Sequence, residues 1–285
     1  MENVISVKNM RESDAFTINT GTSGKELMKR AAQGVYENVR WKGSIAVICG
    51  SGNNGGDGYA LAEILFDNGY SPRILKLSDK LSEDGAYYYN RCKEKGVNES
   101  FCDEYTDLSE YDIIADCILG TGFSGELRED ILSVIENINR SPAYKVSVDI
   151  NSGLSGANGL ALPTAVKSDL TVSIGYYKTG MFLNDASHYI GSLKNVDIGI
   201  KLLKKQFYLI DKDELSPFTG YSSVILSDDD FELKYALDEA QFRRNPLKTV
   251  SKESCDSKKI FVVDYGGSKL IADQTYIYFQ SDRIV

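Results

Sequence analysis

A glycine-rich segment is the part of the chain best suited to bind a phosphate-bearing ligand. It follows an apolar run, precedes an apolar-faced helical pattern and contains five glycines in nine residues: Gly50-Ser51-Gly52-Asn53-Asn54-Gly55-Gly56-Asp57-Gly58. Glycines let a ligand approach the peptide N–H groups, and the first turn of a helix leaves N–H donors unpaired. A plain strand-to-helix turn needs only one or two glycines. The segment therefore predicts a phosphate- or nucleotide-binding loop.

The loop resembles two other nucleotide-binding patterns. The spacing Gly50-x-Gly52-x-x-Gly55 matches the dinucleotide fingerprint of dehydrogenases, with Asp79 as a candidate ribose acceptor. Asp57 argues against it, because a carboxylate repels a pyrophosphate unless it points elsewhere or a cation intervenes. The phosphate-binding loop of nucleoside triphosphatases is excluded, since no G-x-x-x-x-G-K-[ST] occurs.

Three further clusters follow predicted strands. They are Asp116 with Gly120-Thr121-Gly122-Phe123-Ser124-Gly125-Glu126, then Asp149-Ile150-Asn151-Ser152-Gly153, and Tyr176-Tyr177-Lys178-Thr179-Gly180. Ligands of open parallel sheets bind at the carboxyl ends of the strands, so we expect these clusters and the glycine loop to converge at one edge.

Acid–base chemistry would fall to aspartate and lysine. His188 is the sole histidine and lies outside the clusters, which argues against a serine–histidine triad or a histidine-rich metal site. Carboxyl and amino groups can titrate near neutrality when they are desolvated beside charged neighbours.

The elements that must position these residues alternate between strands and helices. The pattern predicts strands at 44–49, 73–77, 112–118, 145–150, 169–174 and 193–198, and helices at 9–18, 25–41, 58–68, 82–95 and 131–138. This order is typical of a mostly parallel α/β sheet covered on both faces, preceded by N-terminal helices.

The pattern changes after about residue 205. We predict one domain at 1–204 and a C-terminal extension of unknown role at 205–285, with an acidic segment at 227–230 and β-rich stretches at 259–263 and 276–279. No motif in the extension carries chemistry.

Composition limits the function classes. With 32 basic and 41 acidic residues the net charge is −9, which argues against a nucleic-acid or anionic-membrane surface. The five cysteines form no C-x-x-C pair, and neither a leader nor a membrane-spanning run is present, so we expect a cytoplasmic protein with reduced thiols.

The chain resembles the NAD(P)H-hydrate epimerase family, the YjeF N-terminal domain. The glycine loop, Asp116-x-x-x-Gly120-Thr121-Gly122-Phe123 and Val148-Asp149-Ile150-x-Ser152-Gly153-Leu154 reproduce its three motifs in order. The resemblance covers roughly residues 9–200. It implies interconversion of the R and S hydrates of NADH and NADPH, a Rossmann-like three-layer fold, a homodimer, a bound potassium ion and a separate dehydratase in the same pathway.

The resemblance also implies roles for individual residues. Substrate contacts would come from Asn53, Asn54, Gly55, Gly56, Asp57 and Gly120, Thr121, Gly122, Phe123, Ser124, Gly125, Glu126. Asp149 would act at the damaged ring, with Lys178 orienting it, and Asn54, Asp116 and Ser152 would hold potassium. Asn151 replaces the family's usual proline, which predicts a looser turn.

A different class of function is a binding module that keeps the fold without turnover, since fold alone does not establish activity. Intact Asp57, Asp116 and Asp149 favour the enzyme. A dehydrogenase would need a hydride-acceptor substrate domain, and the extension contains none that we recognise.

Overall fold

The computed structural model describes residues 2–204 and four further strands at 207–209, 261–265, 268–272 and 277–280. The elements are β1 (Glu2–Ile5), α1 (Val7–Asn19), α2 (Gly24–Asn38), β2 (Ile45–Cys49), α3 (Asn53–Asp67), β3 (Arg73–Lys76), α4 (Glu83–Lys95), β4 (Asn98–Phe101), β5 (Ile113–Cys117), α5 (Glu129–Arg140), β6 (Tyr144–Val148), β7 (Ser168–Ile174), β8 (Tyr177–Lys178), a 3₁₀ turn (Thr179–Phe182), α6 (Ala186–Tyr189), β9 (Ile190–Val196), β10 (Phe207–Leu209), β11 (Phe261–Tyr265), β12 (Ser268–Ala272) and β13 (Ile277–Gln280).

The central sheet of the described residues is parallel throughout, where the sequence predicted a mostly parallel sheet. Its seven strands run in the order β4-β3-β2-β5-β6-β7-β9. Apolar residues fill β2 completely, and all five are buried. The predicted Rossmann-like α/β fold is therefore confirmed.

Alternate residues of the strands face two apolar layers. Ile45, Val47 and Cys49 pack with helices α2, α3 and α4, whereas Ala46 and Ile48 pack with α5. This division follows from the two-residue period of a strand. Because both faces are covered, polar groups for ligands can approach the sheet at its carboxyl edge.

A second sheet in the described residues joins the start of the chain to the strand of Lys178. Its order is β11-β12-β13-β10-β1-β8, and Ile5 of β1 is in register with Lys178 of β8. Strands β11 and β13 overlap the stretches predicted at 259–263 and 276–279. The acidic segment at 227–230 and Cys255 lie outside the described residues.

Helix α1 is fastened to the end of the same domain by a buried polar stripe. Ser13 Oγ accepts a hydrogen bond from the backbone N–H of Leu203 at 3.1 Å, and Thr17 Oγ1 accepts one from that of Lys201 at 2.9 Å. Asn9 Nδ2 donates to the carbonyl of residue 204 at 2.5 Å. Residues 201–204 thus hold the helix in place.

The structure bears on the predicted state of the cysteines and on the predicted lack of membrane-spanning helices, in its described part. Cys49, Cys92, Cys102 and Cys117 are buried free thiols there. Within the same part, none of the helices combines the length and the apolar character needed to cross a membrane.

Candidate active site at the carboxyl edge of the sheet

A cavity of about 720 Å³ opens at the carboxyl ends of the central strands. Most of the predicted ligand residues line it: Asn53, Asn54, Asp57, Gly120, Thr121, Gly122, Phe123, Ser124, Glu126 and Asp149. Residues of α1 and α2 complete the wall. Three of the four predicted clusters therefore meet at this cavity, and the fourth reaches it through Lys178.

Asp149 is held from two sides at the end of β6. Its Oδ2 accepts a hydrogen bond from the Thr121 N–H at 2.9 Å, and its Oδ1 accepts one from Lys178 Nζ at 2.5 Å. The backbone of Asp149 has a positive φ of 69°. Aspartate and asparagine tolerate this left-handed conformation better than most residues. The conformation places the carboxylate at the cavity, with 14% of the side chain exposed.

Lys178 is completely buried and uses its ammonium group fully. Besides Asp149, Nζ donates to Ser173 Oγ at 3.2 Å and to the carbonyl of Ile174 at 2.9 Å. A buried ammonium group is tolerated only when it is paired in this way. The predicted neighbourhood of Lys178 and Asp149 is therefore an ion pair behind the cavity wall.

Two further carboxyl groups, Asp57 and Asp14, face the same cavity. Burial, followed by repulsion from Asp149 and then Asp14, raises the pKa of Asp57 well above its usual value, and Lys178 opposes this effect. Burial and repulsion from Asp149 also raise the pKa of Asp14. The cavity therefore contains carboxyl groups that retain protons to higher pH than ordinary aspartates.

The glycine loop begins as helix earlier than predicted. Helix α3 starts at Asn53 rather than near residue 58, and Gly52 caps it without a side-chain hydrogen bond. The first turn of α3, whose N–H groups lack partners within the helix, therefore lies at the cavity that Asn53 and Asn54 line. This is the arrangement that favours a phosphate oxygen.

Three of the predicted contact glycines do not line the cavity. Gly55 packs against the carbonyl of Gly50, and Gly56 packs against Met28 and Gly85. Gly125 has a positive φ and open space where a side chain would stand. These glycines allow close packing and a turn, and their predicted contact with the ligand stays a prediction.

Gly120 has a direct role in the geometry of the site. A Cβ atom there would lie 2.8 Å from Asp149 Oδ2 and 3.2 Å from Asn54 Cβ. The absence of a side chain at this position therefore lets the loops after β2, β5 and β6 meet.

Asp116 and Ser152 form a closed network beneath the cavity. The Asp116 carboxylate accepts hydrogen bonds from Ser147 Oγ at 2.8 Å, Ser152 N at 2.9 Å, Ser152 Oγ at 2.5 Å and Ile118 N at 3.3 Å. Burial raises the pKa of Asp116, and the bonds from Ser152 and Ser147 oppose that shift. The network fixes the turn after β6 and thereby positions Asp149.

Among the three predicted metal ligands, Asn54 has a side-chain oxygen without a hydrogen-bond partner in the described part of the chain. Its side chain is 7% exposed, and neither its Oδ1 nor its Nδ2 has a hydrogen-bond partner among the described residues. An unpaired buried amide is costly, so a ligand oxygen or a cation would satisfy it. The oxygens of Asp116 and Ser152, by contrast, are bonded to each other. A cation therefore fits the amide of Asn54 better than it fits the closed pair.

Asn151 makes its turn tighter than expected. Its Nδ2 donates to Val166 O, Ser168 Oγ and Tyr189 O at 2.8–2.9 Å, and its Oδ1 accepts from Thr171 Oγ1 at 2.6 Å. The expectation of a looser turn is wrong, because side-chain hydrogen bonds replace the rigidity of a proline.

Two residues considered from the sequence lie away from the cavity. His188 is exposed on the short helix α6. The side chain of Asp79 is 76% exposed and accepts a hydrogen bond from Lys76 at 2.9 Å. Neither is among the cavity residues.

Comparison with known proteins identifies the family. The family model described as "YjeF-related protein N-terminus" matches residues 24–180. This chain belongs to the YjeF N-terminal family. The NAD(P)H-hydrate epimerase of Oenococcus oeni is 35% identical over 205 residues, which cover 69% of this chain and 96% of the relative. The protein of the same name from Lentilactobacillus buchneri is 33% identical over 208 residues, with 70% and 96% covered.

Other members of this YjeF N-terminal family extend beyond the matched domain. The bifunctional NAD(P)H-hydrate repair enzyme of Archaeoglobus fulgidus is 36% identical over 201 residues, which are 69% of this chain and 41% of that enzyme. The crystal structure of the yeast protein YNL200c has the same fold, with a TM-score of 0.56 and 24% identity. The alignment covers 66% of this chain and 84% of that one.

The YjeF N-terminal match begins at Gly24 and so does not include α1, on which no site residue was predicted. That helix contributes Asp14 and Arg11, whose Nη2 donates to the carbonyl of Thr121 at 3.1 Å. Leu77, Ser78 and Asp84 also line the cavity and were not predicted. These three residues come next to β3 or belong to α4, and they reach the cavity because of how these elements pack. The sequence around them contains no motif that would predict this.

Proposed function

We propose that this protein is an NAD(P)H-hydrate epimerase, an isomerase that interconverts the R and S hydrates of NADH and NADPH. The observation that carries the proposal is the buried ion pair of Lys178 and Asp149, which presents a carboxylate to a dinucleotide-sized cavity. Two relatives that align with this chain over 96% of their own length are named NAD(P)H-hydrate epimerase.

The chemistry needs a proton, a stabilised cation and water. In the hydrate, the added hydroxyl is on a carbon next to the ring nitrogen, so the nitrogen lone pair can expel it and form an iminium ion. The departing oxygen needs a proton to leave as water. A carboxyl group beside the ring can deliver that proton, and its anion then stabilises the iminium ion.

Asp149 is placed for this role. Lys178, 2.5 Å away, can pass a proton to Asp149 as Asp149 protonates the hydroxyl. The C–O bond breaks, water leaves, and the resulting Asp149 carboxylate is stabilised by the Thr121 N–H. Water then adds to the opposite face of the ring, and the proton that it loses returns to the Lys178–Asp149 pair. Atoms and charge balance over the cycle.

The glycine loop is the proposed pyrophosphate site. The N–H groups at the start of α3 favour anions, and the raised pKa of Asp57 keeps this carboxyl group protonated to higher pH. The raised pKa lowers the negative charge that Asp57 presents to a phosphate compared with an ordinary aspartate at the same pH, which weakens the argument against a dinucleotide.

We include a potassium ion in the proposal, with Asn54 as its side-chain ligand. The support is the unpaired buried amide oxygen. When bound, the ion would supply a positive charge near the loop and reduce repulsion between the substrate phosphates and the carboxyl groups. Asp116 and Ser152 would support the site by fixing the backbone of the turn after β6.

The pathway partner follows from the chemistry and from the relatives. The epimerase product must be dehydrated to regenerate the cofactor, and the relative from Archaeoglobus fulgidus is named as bifunctional. We propose that a separate dehydratase performs that step for this chain. The homodimer and the cytoplasmic location stay predictions.

The direct test is to supply purified R hydrate of NADH and follow the S form by chromatography. We expect acceleration over the uncatalysed rate, loss of about 10²- to 10⁴-fold in kcat/KM for Asp149→Asn, and no loss for Asp169→Asn. Asp169 is a matched control, because it also accepts a backbone N–H, that of Lys145, but lies at the amino end of β7. Binding of the hydrate without acceleration would support the non-catalytic module instead. Repeating the assay without potassium tests the cation.

A further inference from the structure

A second, smaller cavity of about 250 Å³ adjoins the candidate active site. The two cavities share Leu77 and Ile131 as wall residues. The remaining residues of this adjacent cavity are Cys102, Asp103, Glu104, Tyr105, Asp130 and Val134. The two cavities therefore lie side by side, and a ligand that passes Leu77 and Ile131 would reach both.

The position of the adjacent cavity suits the far end of an extended dinucleotide. It lies where β3 and β4 end, whereas Asp149 follows β6, three strands away from β3 in the sheet. Neighbouring strands are about 4.8 Å apart, so the two places are separated by roughly 14 Å across the sheet. The start of α3, which follows the intervening strand β2, is the proposed pyrophosphate site. The order along the edge is thus reacting ring, pyrophosphate and adjacent cavity.

The chemistry of the adjacent cavity suits an uncharged aromatic base. Leu77, Ile131 and Val134 form an apolar floor. Three carboxyl groups, those of Asp103, Glu104 and Asp130, also line it and would repel the 2′-phosphate of NADPH, so this cavity favours the adenosine end of NADH over that of NADPH. A carboxylate accepts hydrogen bonds, so it suits the exocyclic amino group of adenine.

Tyr105 provides a ring for stacking. It is 84% exposed, more than any other large hydrophobic residue among those described. The turn beneath it is nevertheless fixed, because Asp103 Oδ1 accepts hydrogen bonds from Tyr105 N at 3.0 Å and Thr106 Oγ1 at 2.9 Å. Asn137 of α5 donates to the carbonyl of Thr106 at 2.8 Å. The ring is thus exposed on an ordered support next to an apolar cavity.

We infer that the adjacent cavity binds the adenine ring of the substrate and that Tyr105 stacks on it. This inference rests on the proposed function, and it assigns the end of the dinucleotide that does not react. Base–aromatic stacking commonly changes affinity by about tenfold when the aromatic side chain is removed.

The test compares two substrates and three variants. With the hydrate of NADH, Tyr105→Ala raises KM about tenfold, while Tyr105→Phe and Tyr144→Ala keep the wild-type KM. Tyr144 is the matched control, because it is 43% exposed but begins β6 at the opposite edge of the sheet. With the hydrate of reduced nicotinamide mononucleotide, which lacks adenosine, all variants keep the wild-type KM.

Two results would overturn the inference: equal KM values for Tyr105→Ala and Tyr144→Ala with the dinucleotide, or an equal rise for Tyr105→Ala with the mononucleotide. Calorimetric titration with ADP separates this inference from the proposed function. If the wild-type protein does not epimerise but binds ADP about tenfold more tightly than Tyr105→Ala does, the adenine site stands and the reaction does not. If ADP binds both proteins equally, the adenine site is wrong.

Discussion

Replacing Lys178 by methionine tests the ion pair that the proposed mechanism needs. Methionine keeps most of the volume of the lysine stem, so the change removes the ammonium group and its bonds to Asp149, Ser173 and Ile174 with little new cavity. Lys178 is 0% and Asp149 14% exposed, so solvent screens the pair weakly. Breaking a buried pair by removing one partner costs about 3–5 kcal/mol. We expect a loss of that size in the free energy of unfolding at mildly alkaline pH.

The loss should become smaller in acid. Without Lys178, three carboxyl groups share the cavity, and protonation relieves their repulsion. Asp57 and Asp14 have pKa values above the ordinary aspartate value of about 4, so the relief begins above that pH. Urea unfolding followed by the fluorescence of Trp41, the single tryptophan and 7% exposed, measures the free energy at each pH.

The double variant Lys178→Met, Asp149→Asn provides the control. With both charges gone, the double variant should be more stable than the sum of the two single losses predicts, by about 2 kcal/mol. Asparagine tolerates the positive φ at position 149, so the backbone is unchanged. Strictly additive losses, or a Lys178→Met loss that is independent of pH, would refute the ion-pair reasoning.

Three further predictions concern other parts of the site. The first concerns Asp57→Asn: because the pKa of Asp57 is raised in the folded wild-type protein, that protein binds more protons than its unfolded chain, and its stability falls as pH rises from about 4 through the raised pKa. Over this range the variant should gain stability relative to wild type in urea titrations. A stability difference that does not change with pH would contradict the pKa shift. In Gly120→Ala the new Cβ would lie 2.8 Å from Asp149 Oδ2 and would displace the carboxylate. The variant should have a kcat about 10²-fold lower than wild type and a nearly unchanged melting temperature. A normal kcat would show that the reaction does not need Asp149 in this position. Asn151→Ala removes four hydrogen bonds of the turn and leaves the carbonyls of Val166 and Tyr189 without this donor, whereas the hydroxyls of Ser168 and Thr171 still bond to each other at 2.8 Å. The variant should lose about 2–4 kcal/mol of unfolding free energy, and a loss below about 1 kcal/mol would mean that other contacts hold the turn.

The sequence predicted the central sheet because short apolar and β-branched runs, such as β2 and β5, alternate with amphipathic helical patterns. It missed β4, an edge strand with the sequence Asn-Glu-Ser-Phe and largely exposed side chains. It also missed β1 and β8, which are short and pair with each other, β1 pairing with β10 as well. Pairing between segments distant in the chain is not visible in a local pattern.

The site was predictable where residue type and strand position determine it. Asp149 and Lys178 both follow parallel strands, and they meet as expected. The closed network of Asp116 was not predictable, because the choice between a ligand and a hydrogen-bonded anchor depends on which groups reach its oxygens. Asp14 was missed because only the packing of α1 brings it to the cavity.

The buried stripe of α1 makes one wall of the cavity depend on residues that are synthesised late. The side chains of this stripe, Asn9, Ser13 and Thr17, form hydrogen bonds with the backbone of residues 201–204. The same helix contributes Arg11 and Asp14 to the cavity wall. A ribosome releases the amino terminus first, yet the partners of this helix emerge about two hundred residues later. A nascent chain stalled before that point lacks the clasp, so the wall formed by α1 is secured only after the last strand of the parallel sheet has been made.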